Sequence, residues 1–249
     1  MHAHAVIAIA SREVLGWIRQ PARIVGTLGT PLLVWLFFAG GFSEMLPLDD
    51  STSSKRWLLG SAAMLVVVFA SIFASIGFIK DREDGLIDMT RASPAPAWAP
   101  IVGRLAAHAL LATTQALLVL VLGGLVVGGV GFLGLVSALV VLAVLSAGVQ
   151  AFGLLAASRV SSVSGFHGIM NLVIAPAWLL SGSLFPAESA DLWLRVAVLV
   201  NPLHWAHVVL CASSSLDAGS PLPLPIAALG LVAFGGAMVW LAARERSQR

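Results

Sequence analysis

The chain has 249 residues, 59% hydrophobic and only 10% charged, where a soluble domain carries about 25% charged residues. Its formal net charge of +2 is too small to argue for nucleic acid, and the single cysteine, Cys211, excludes an internal disulfide or a multi-cysteine metal site. What remains is an integral membrane protein.

Residues 5–22 come first. At about 100° per residue, Ile7, Ala10, Val14, Leu15, Trp17 and Ile18 share one arc of a helix, and Arg12, Glu13, Gly16, Arg19 and Gln20 fill the other. Ile9 alone is out of place. The segment is too charged to cross a bilayer, and Pro21 stops it, so it is expected to lie in the membrane interface. The competing reading is a solvated helix packed on another domain.

A span needs about 20 apolar residues. Six stretches meet that need: residues 24–42, 57–79, 105–127, 132–157, 163–185 and 223–243. The first is longer than the roughly 7–15 residues of a signal-peptide core, so it reads as a span and not as a cleaved leader. Between the third and fourth lies a glycine-rich turn at Gly128, Gly129 and Gly131, which makes them a tight hairpin. No internal repeat is visible, and residues 1–249 read as one all-α transmembrane domain.

Orientation follows the lysines and arginines. With the N-terminus inside, eleven of the fourteen fall on the inner side, and Lys55, Arg56 and Arg195 on the outer. Both termini are therefore expected in the cytoplasm. The charged stretch 80–104 falls on the same side, between two spans with almost no charge. From Asp81 to Ala92 it suits a short helix, capped by Asp81 or Asp84, with Leu86 and Met89 on one face and Arg91 in the last turn. Ser93 and Pro94 end that helix. Leu and Met knobs inside a charged rim form a protein-docking surface; the alternative is an ordinary solvated loop.

The segment 186–221 is different. Residues 191–200 and 203–211 are too short to span and too apolar for bulk water, and Asn201-Pro202 divides them. They suggest two half-helices dipping into the outer leaflet, tolerated only against protein or a water-filled cavity. An outer mini-domain is the competing reading.

The only lysines are Lys55 and Lys80, preceded by Ser54 and Ile79, so the phosphate-loop pattern GxxxxGK[ST] is absent. No Asp, Glu, Lys or Arg lies mid-span, so an acid relay is missing. His204 and His207 are three apart but lack a third ligand for zinc; they read as interface side chains. His167 and Asn171, four apart, suit an interhelical hydrogen bond or a substrate contact. Gln115 and Gln150 join them as scattered polar groups along a path suited to an amphipathic solute. No nucleophile–base pair stands out, and no catalytic or metal residue is expected.

With these residues placed, the chain resembles an integral-membrane permease of the type-2 ABC exporter class, and within it daunorubicin-resistance-type drug exporters. One motif is Asp81-Arg82-Glu83-Asp84-Gly85-Leu86-Ile87-Asp88-Met89, followed by Ser93-Pro94 and Gly103-Arg104. The other runs from Asn171 and Pro176 through Leu180 to Pro186, then Asn201-Pro202. The sequence departs from the family pattern at residues 187–191.

The resemblance implies six transmembrane helices, an N-terminal amphipathic interface helix, a cytoplasmic coupling helix and short re-entrant helices before the last span. It also implies a second permease copy or homologous permease, and two copies of an ATPase subunit that bind ATP and magnesium. The coupling residues would be Arg82, Glu83, Asp84, Gly85, Leu86, Asp88, Met89 and Arg91. The expected function is export across the inner membrane, of a drug-like or lipid- or glycan-linked solute. A membrane-embedded enzyme using His167, His204 or His207, or a non-transporting partner subunit, are the alternatives.

Overall fold

A computed structural model describes residues 2–43, 51–87, 96, 98–128, 131–213 and 220–245. Among them all regular structure is helical. The order is α1 (His2–Ile18), α2 (Pro21–Gly41), α3 (Ser51–Glu83), α4 (Ala99–Val127) and α5 (Phe132–Ser158). A composite column follows, made of α6 (Val163–Ile169), a π-helical turn (Met170–Ile174) and α7 (Ala175–Leu179). A 3-10 turn (Ala187–Ser189), α8 (Leu192–Leu199), α9 (Pro202–Ser213) and α10 (Leu224–Glu245) complete the chain.

Five helices, α2 to α5 and α10, are long and apolar enough to cross a membrane, and the count reaches six if the bent pair α8–α9 is one crossing. The central post is α3. In its most apolar window 78% of the residues are buried, against 22% in α2 and in α10. It packs on α2, α4 and α5. Gly123 of α4 leaves room for the Leu59 side chain of α3, since a Cβ there would lie 2.2 Å from Leu59 Cδ1.

Three boundaries differ from the sequence reading. First, α3 has 33 residues, about 50 Å at 1.5 Å per residue, against a hydrocarbon core of about 30 Å. It therefore runs on through Lys80, Asp81, Arg82 and Glu83. Asp81 lies inside α3 and caps no separate loop helix. Lys80, Arg82 and Glu83 lower hydropathy yet are good helix formers, which is why the apolar run stops at Ile79 while the helix continues.

Second, the expected span 163–185 ends as a helix at Leu179. Gly182 then takes φ +75°, and a Cβ there would lie 2.9 Å from His204 Nδ1, so the turn requires glycine. Within the column, Pro176 has no N–H and its ring crowds the preceding turn. The widened turn just ahead of it absorbs this, with the Ala175 N–H donating to the Met170 carbonyl.

Third, part of the polar arc of α1 packs on protein. Ile9, the residue out of place in the sequence, packs on α4, where Gly103 leaves room for it and for the Val6 carbonyl. Glu13, one helical turn on, faces the same way. Ile7, Leu15 and Ile18 are exposed. The helix thus presents apolar side chains outward and a carboxylate inward.

Candidate functional site

The charged connector begins where α3 ends. Asp84 N–H donates to the Lys80 carbonyl at 2.8 Å, and Gly85 N–H to Arg82 at 3.2 Å. Gly85 has φ +74°, the left-handed geometry that ends helices cheaply only with glycine. Leu86 and Ile87 resume helical geometry, with Ile87 buried. Glu83 and Asp84 are exposed. Asp88, Met89 and Arg91, with Ser93 and Pro94, lie outside the described residues.

Arg82 does not point to solvent alone. Its guanidinium donates to the carbonyls of Ala157 (3.4 Å), Ser158 (3.5 Å) and Val160. These carbonyls stand at the C-terminal end of α5, where orphan acceptors and the helix dipole favour a cation. The last turn of α3 is thereby bound to the end of α5.

Asp81, one residue earlier, enters a cluster that joins three helices. Arg12 of α1 donates to its Oδ2 at 2.9 Å, and Arg104 of α4 donates to the same oxygen. Arg104 also donates through Nε (3.1 Å) and its terminal nitrogen (2.8 Å) to Glu13 Oε1. His108 Nε2 lies 3.2 Å from Glu13 Oε2. The guanidinium of Arg104 covers the Phe78 ring at 5.4 Å. Leu86, Ile87 and Pro100 close over this cluster around a small cavity of about 40 Å³.

Burial alone would raise the Glu13 carboxyl. The hydrogen bond to His108 and the charges of Arg104 and Arg12 outweigh it and bring the pKa down from 4.5 to about 2. Glu13 is ionised at neutral pH. With side chains 13% and 12% exposed, Glu13 and Arg104 form the most buried arginine–carboxylate contact of the cluster among the described residues.

The four expected path residues separate. Gln115 is buried, and its Oε1 accepts from Thr27 Oγ1 at 2.6 Å, joining α4 to α2. Gln150 is buried with no partner for its side-chain nitrogen; it borders a narrow cleft with Ser75, Arg104 and His108. His167 and Asn171 both stand on the exposed face of the composite column. Neither makes an interhelical hydrogen bond among the described residues.

His204 and His207 are fully buried and are not interface side chains. His204 Nδ1 lies 2.8 Å from the Ser181 carbonyl, and Nε2 lies 2.7 Å from Ser220 Oγ. His207 Nε2 is 3.4 Å from Ser61 Oγ on α3, and its ring lies beside Trp57. Asn201 Nδ2 donates to the Ala177 carbonyl at 2.5 Å, and its Oδ1 accepts from Leu203 N–H at 3.0 Å. These residues hold the bend between α8 and α9, which is 80°, against the end of α7. Among the described residues no three His, Cys, Asp or Glu side chains come together as a metal site.

The signal for the ion cluster was present but unassigned. His108 is the single ionisable group in the long apolar run 105–152, and such a group inside a span needs a named partner. That partner, Glu13, was read as surface.

Residues 4–213 match the family described as ABC-2 type transporter. The chain is 31% identical over 162 residues to the probable multidrug ABC transporter permease YbhR of Escherichia coli strain K12. That alignment covers 62% of this chain and 43% of that protein, so the chain spans less than half of that relative's length. Nodulation protein J of Rhizobium leguminosarum bv. viciae is 26% identical over 212 residues, covering 82% of this chain and 78% of the relative.

Proposed function

Since the chain belongs to the ABC-2 type transporter family, we propose that it is the membrane-spanning subunit of an ATP-driven exporter. A separate ATPase, in two copies, supplies the energy with bound ATP and magnesium. A second permease copy completes the path. The solute leaving the cytoplasm is amphipathic: drug-like, or linked to a lipid or glycan. The relative named as a multidrug permease supports a drug-like solute.

The observation that carries this reading is the continuity of α3. One unbroken helix runs from the most buried part of the bundle to Glu83, where it ends in an exposed acidic turn. Force applied at Glu83, Asp84, Gly85 and Leu86 passes into the bundle without a hinge. It passes to α5 through Arg82 and to α1 and α4 through Asp81. Asp88, Met89 and Arg91, which lie outside the described residues, are assigned to coupling from the sequence motif alone.

The same contacts support the topology. The ion cluster ties α1 to the end of α3, so the N-terminal helix and the 81–92 connector share one side of the membrane. The excess of basic residues supports that side being the cytoplasm, with the chain in the inner membrane. In this reading α1 lies along the interface with Ile7, Leu15 and Ile18 toward lipid. The composite column is the fifth of six spans, and α8–α9 is a re-entrant pair. His167 and Asn171, on the open face of that column, face the path shared with the second copy. Gln115 and Gln150 act within the bundle.

The test is co-purification with the soluble ATPase, followed by Gly85→Pro and Leu86→Asp. Both variants are expected to insert normally and to lose ATPase binding or substrate-stimulated turnover. Unchanged coupled transport in both contradicts the coupling site.

A further inference from the structure

At the deepest point of the α8–α9 bend, a cavity of about 200 Å³ opens toward the outside of the bundle. Its walls are Val68, Val149, Phe152, Ile174, Ala177 and Phe234, contributed by α3, α5, the π-helical turn, α7 and α10. Val68 and Phe234 lie near the middles of α3 and α10, which places the cavity at hydrocarbon depth. Its rim includes Val173, which is 42% exposed.

The chemistry of the lining restricts what can occupy it. The one polar side chain on the wall is Asn201, and both its groups are engaged, Nδ2 with Ala177 and Oδ1 with Leu203. Water entering would find at most the spare sites of that one amide, too few for the two to four hydrogen bonds it needs. An empty space would forfeit dispersion contacts along all its walls. A single flexible hydrocarbon chain fits both limits.

We propose that this cavity is a binding site for one acyl chain of a bilayer phospholipid. The surrounding membrane is the nearest source of such chains, and the opening beside Val173 lets one enter sideways without crossing a polar layer. Two irregular features of the backbone shape the site. The π-helical turn sets the side chains of Val173 and Ile174 at the cavity, and the break at Asn201-Pro202 forms its end. This inference requires the chain to lie in a membrane but does not rest on the transport reading.

The test is photo-crosslinking of the full chain in nanodiscs, with a phospholipid carrying a diazirine on one acyl chain. A second arm uses a free fatty acid with the same group. Wild type is expected to carry several-fold more phospholipid label at Val149, Phe152, Val173 and Phe234 than at Leu125, Leu133 and Leu139, which are exposed elsewhere on the bundle. Ala177→Phe and Val149→Phe, each placing a ring in the space, are expected to remove that excess and leave label at Leu133 unchanged. Even labelling of all outward positions, label from the fatty acid only, or crosslinks from the cavity to a second copy would each overturn the proposal. The wild-type map decides by itself, so a variant that fails to fold leaves no gap.

Discussion

Glu13 and Arg104 are 91 positions apart in sequence, and their side chains meet at 2.8 Å. One belongs to the N-terminal helix and the other to the start of α4, and Asp81 of α3 shares the same guanidinium. This contact turns three helices into one unit at the end of the bundle where the connector begins. Its consequences can be measured.

Removing one partner of such a pair leaves the other charge dry and uncompensated, at a cost of roughly 3 kcal/mol. Glu13→Gln is expected to lower thermal stability in detergent by an amount of that order. Arg104→Met alone should cost a similar amount. The double variant should cost clearly less than their sum, because neither charge is then stranded. Additive losses would show that the two side chains do not act as a pair.

The same carboxylate makes a signed prediction for pH. Its folded pKa, about 2, lies below the ordinary 4.5, so its stabilisation is complete above pH 4.5 and is lost as pH falls toward 2. The stability gap between wild type and Glu13→Gln should stay constant from pH 8 to about 5 and narrow below that. A gap that closes between pH 7 and 5 would contradict the assignment. Thermal unfolding of both proteins across the range reads this directly.

Arg82 reaches the carbonyls of Ala157, Ser158 and Val160 with a planar fork of donors. A lysine offers one point charge and cannot span them. Arg82→Lys is therefore expected to behave nearly as Arg82→Ala: both insert, both loosen the end of α5, and both weaken substrate-stimulated ATPase turnover. Faster amide hydrogen exchange at 155–160 would report the loosened helix end. Full activity in Arg82→Lys would mean that charge alone suffices.

Gly182→Ala tests the turn beneath the re-entrant pair. The left-handed backbone costs a non-glycine residue about 1 kcal/mol, and the added carbon would also meet His204 Nδ1 at 2.9 Å. The variant is expected to unfold at lower temperature than wild type, with increased proteolysis at 181–190. A stability equal to wild type would show that the turn relaxes freely.

Much of the bundle was legible from composition. Long uncharged runs such as 57–79 satisfy their backbone groups in lipid as helices; α3, α4 and α5 contain an expected span, and α2 and α10 each cover one but for a single terminal residue. The helix break at Asn201-Pro202 was also readable, because a proline after asparagine interrupts two short apolar pieces. The ends were harder. Hydropathy cannot see that α3 continues through Lys80–Glu83, since a helix outlasts the membrane that surrounds part of it. Nor could it see the turn at Gly182, where Leu180, Leu184 and Phe185 keep the run apolar although the backbone has left the helix.

The site was legible only in part. The acidic turn at Glu83-Asp84 and Gly85 stood out as polar between apolar spans. The partners of Asp81 did not, because an amphipathic pattern sorts residues by polarity and not by charge pairing. Ile9 was the clue: one apolar residue on the polar arc showed that this arc packs on protein. His204 and His207 were misplaced for a related reason, since a sequence does not reveal that Ser61, Ser181 and Ser220 wait to receive them.

The most direct measurement replaces Asp84 by cysteine in a Cys211→Ser background and labels it with a membrane-impermeant maleimide. The account predicts labelling in inverted membrane vesicles, none in intact cells, and protection when the ATPase partner is bound. Labelling from outside the cell would place the connector on the wrong side of the membrane, where no ATP-driven subunit could reach it.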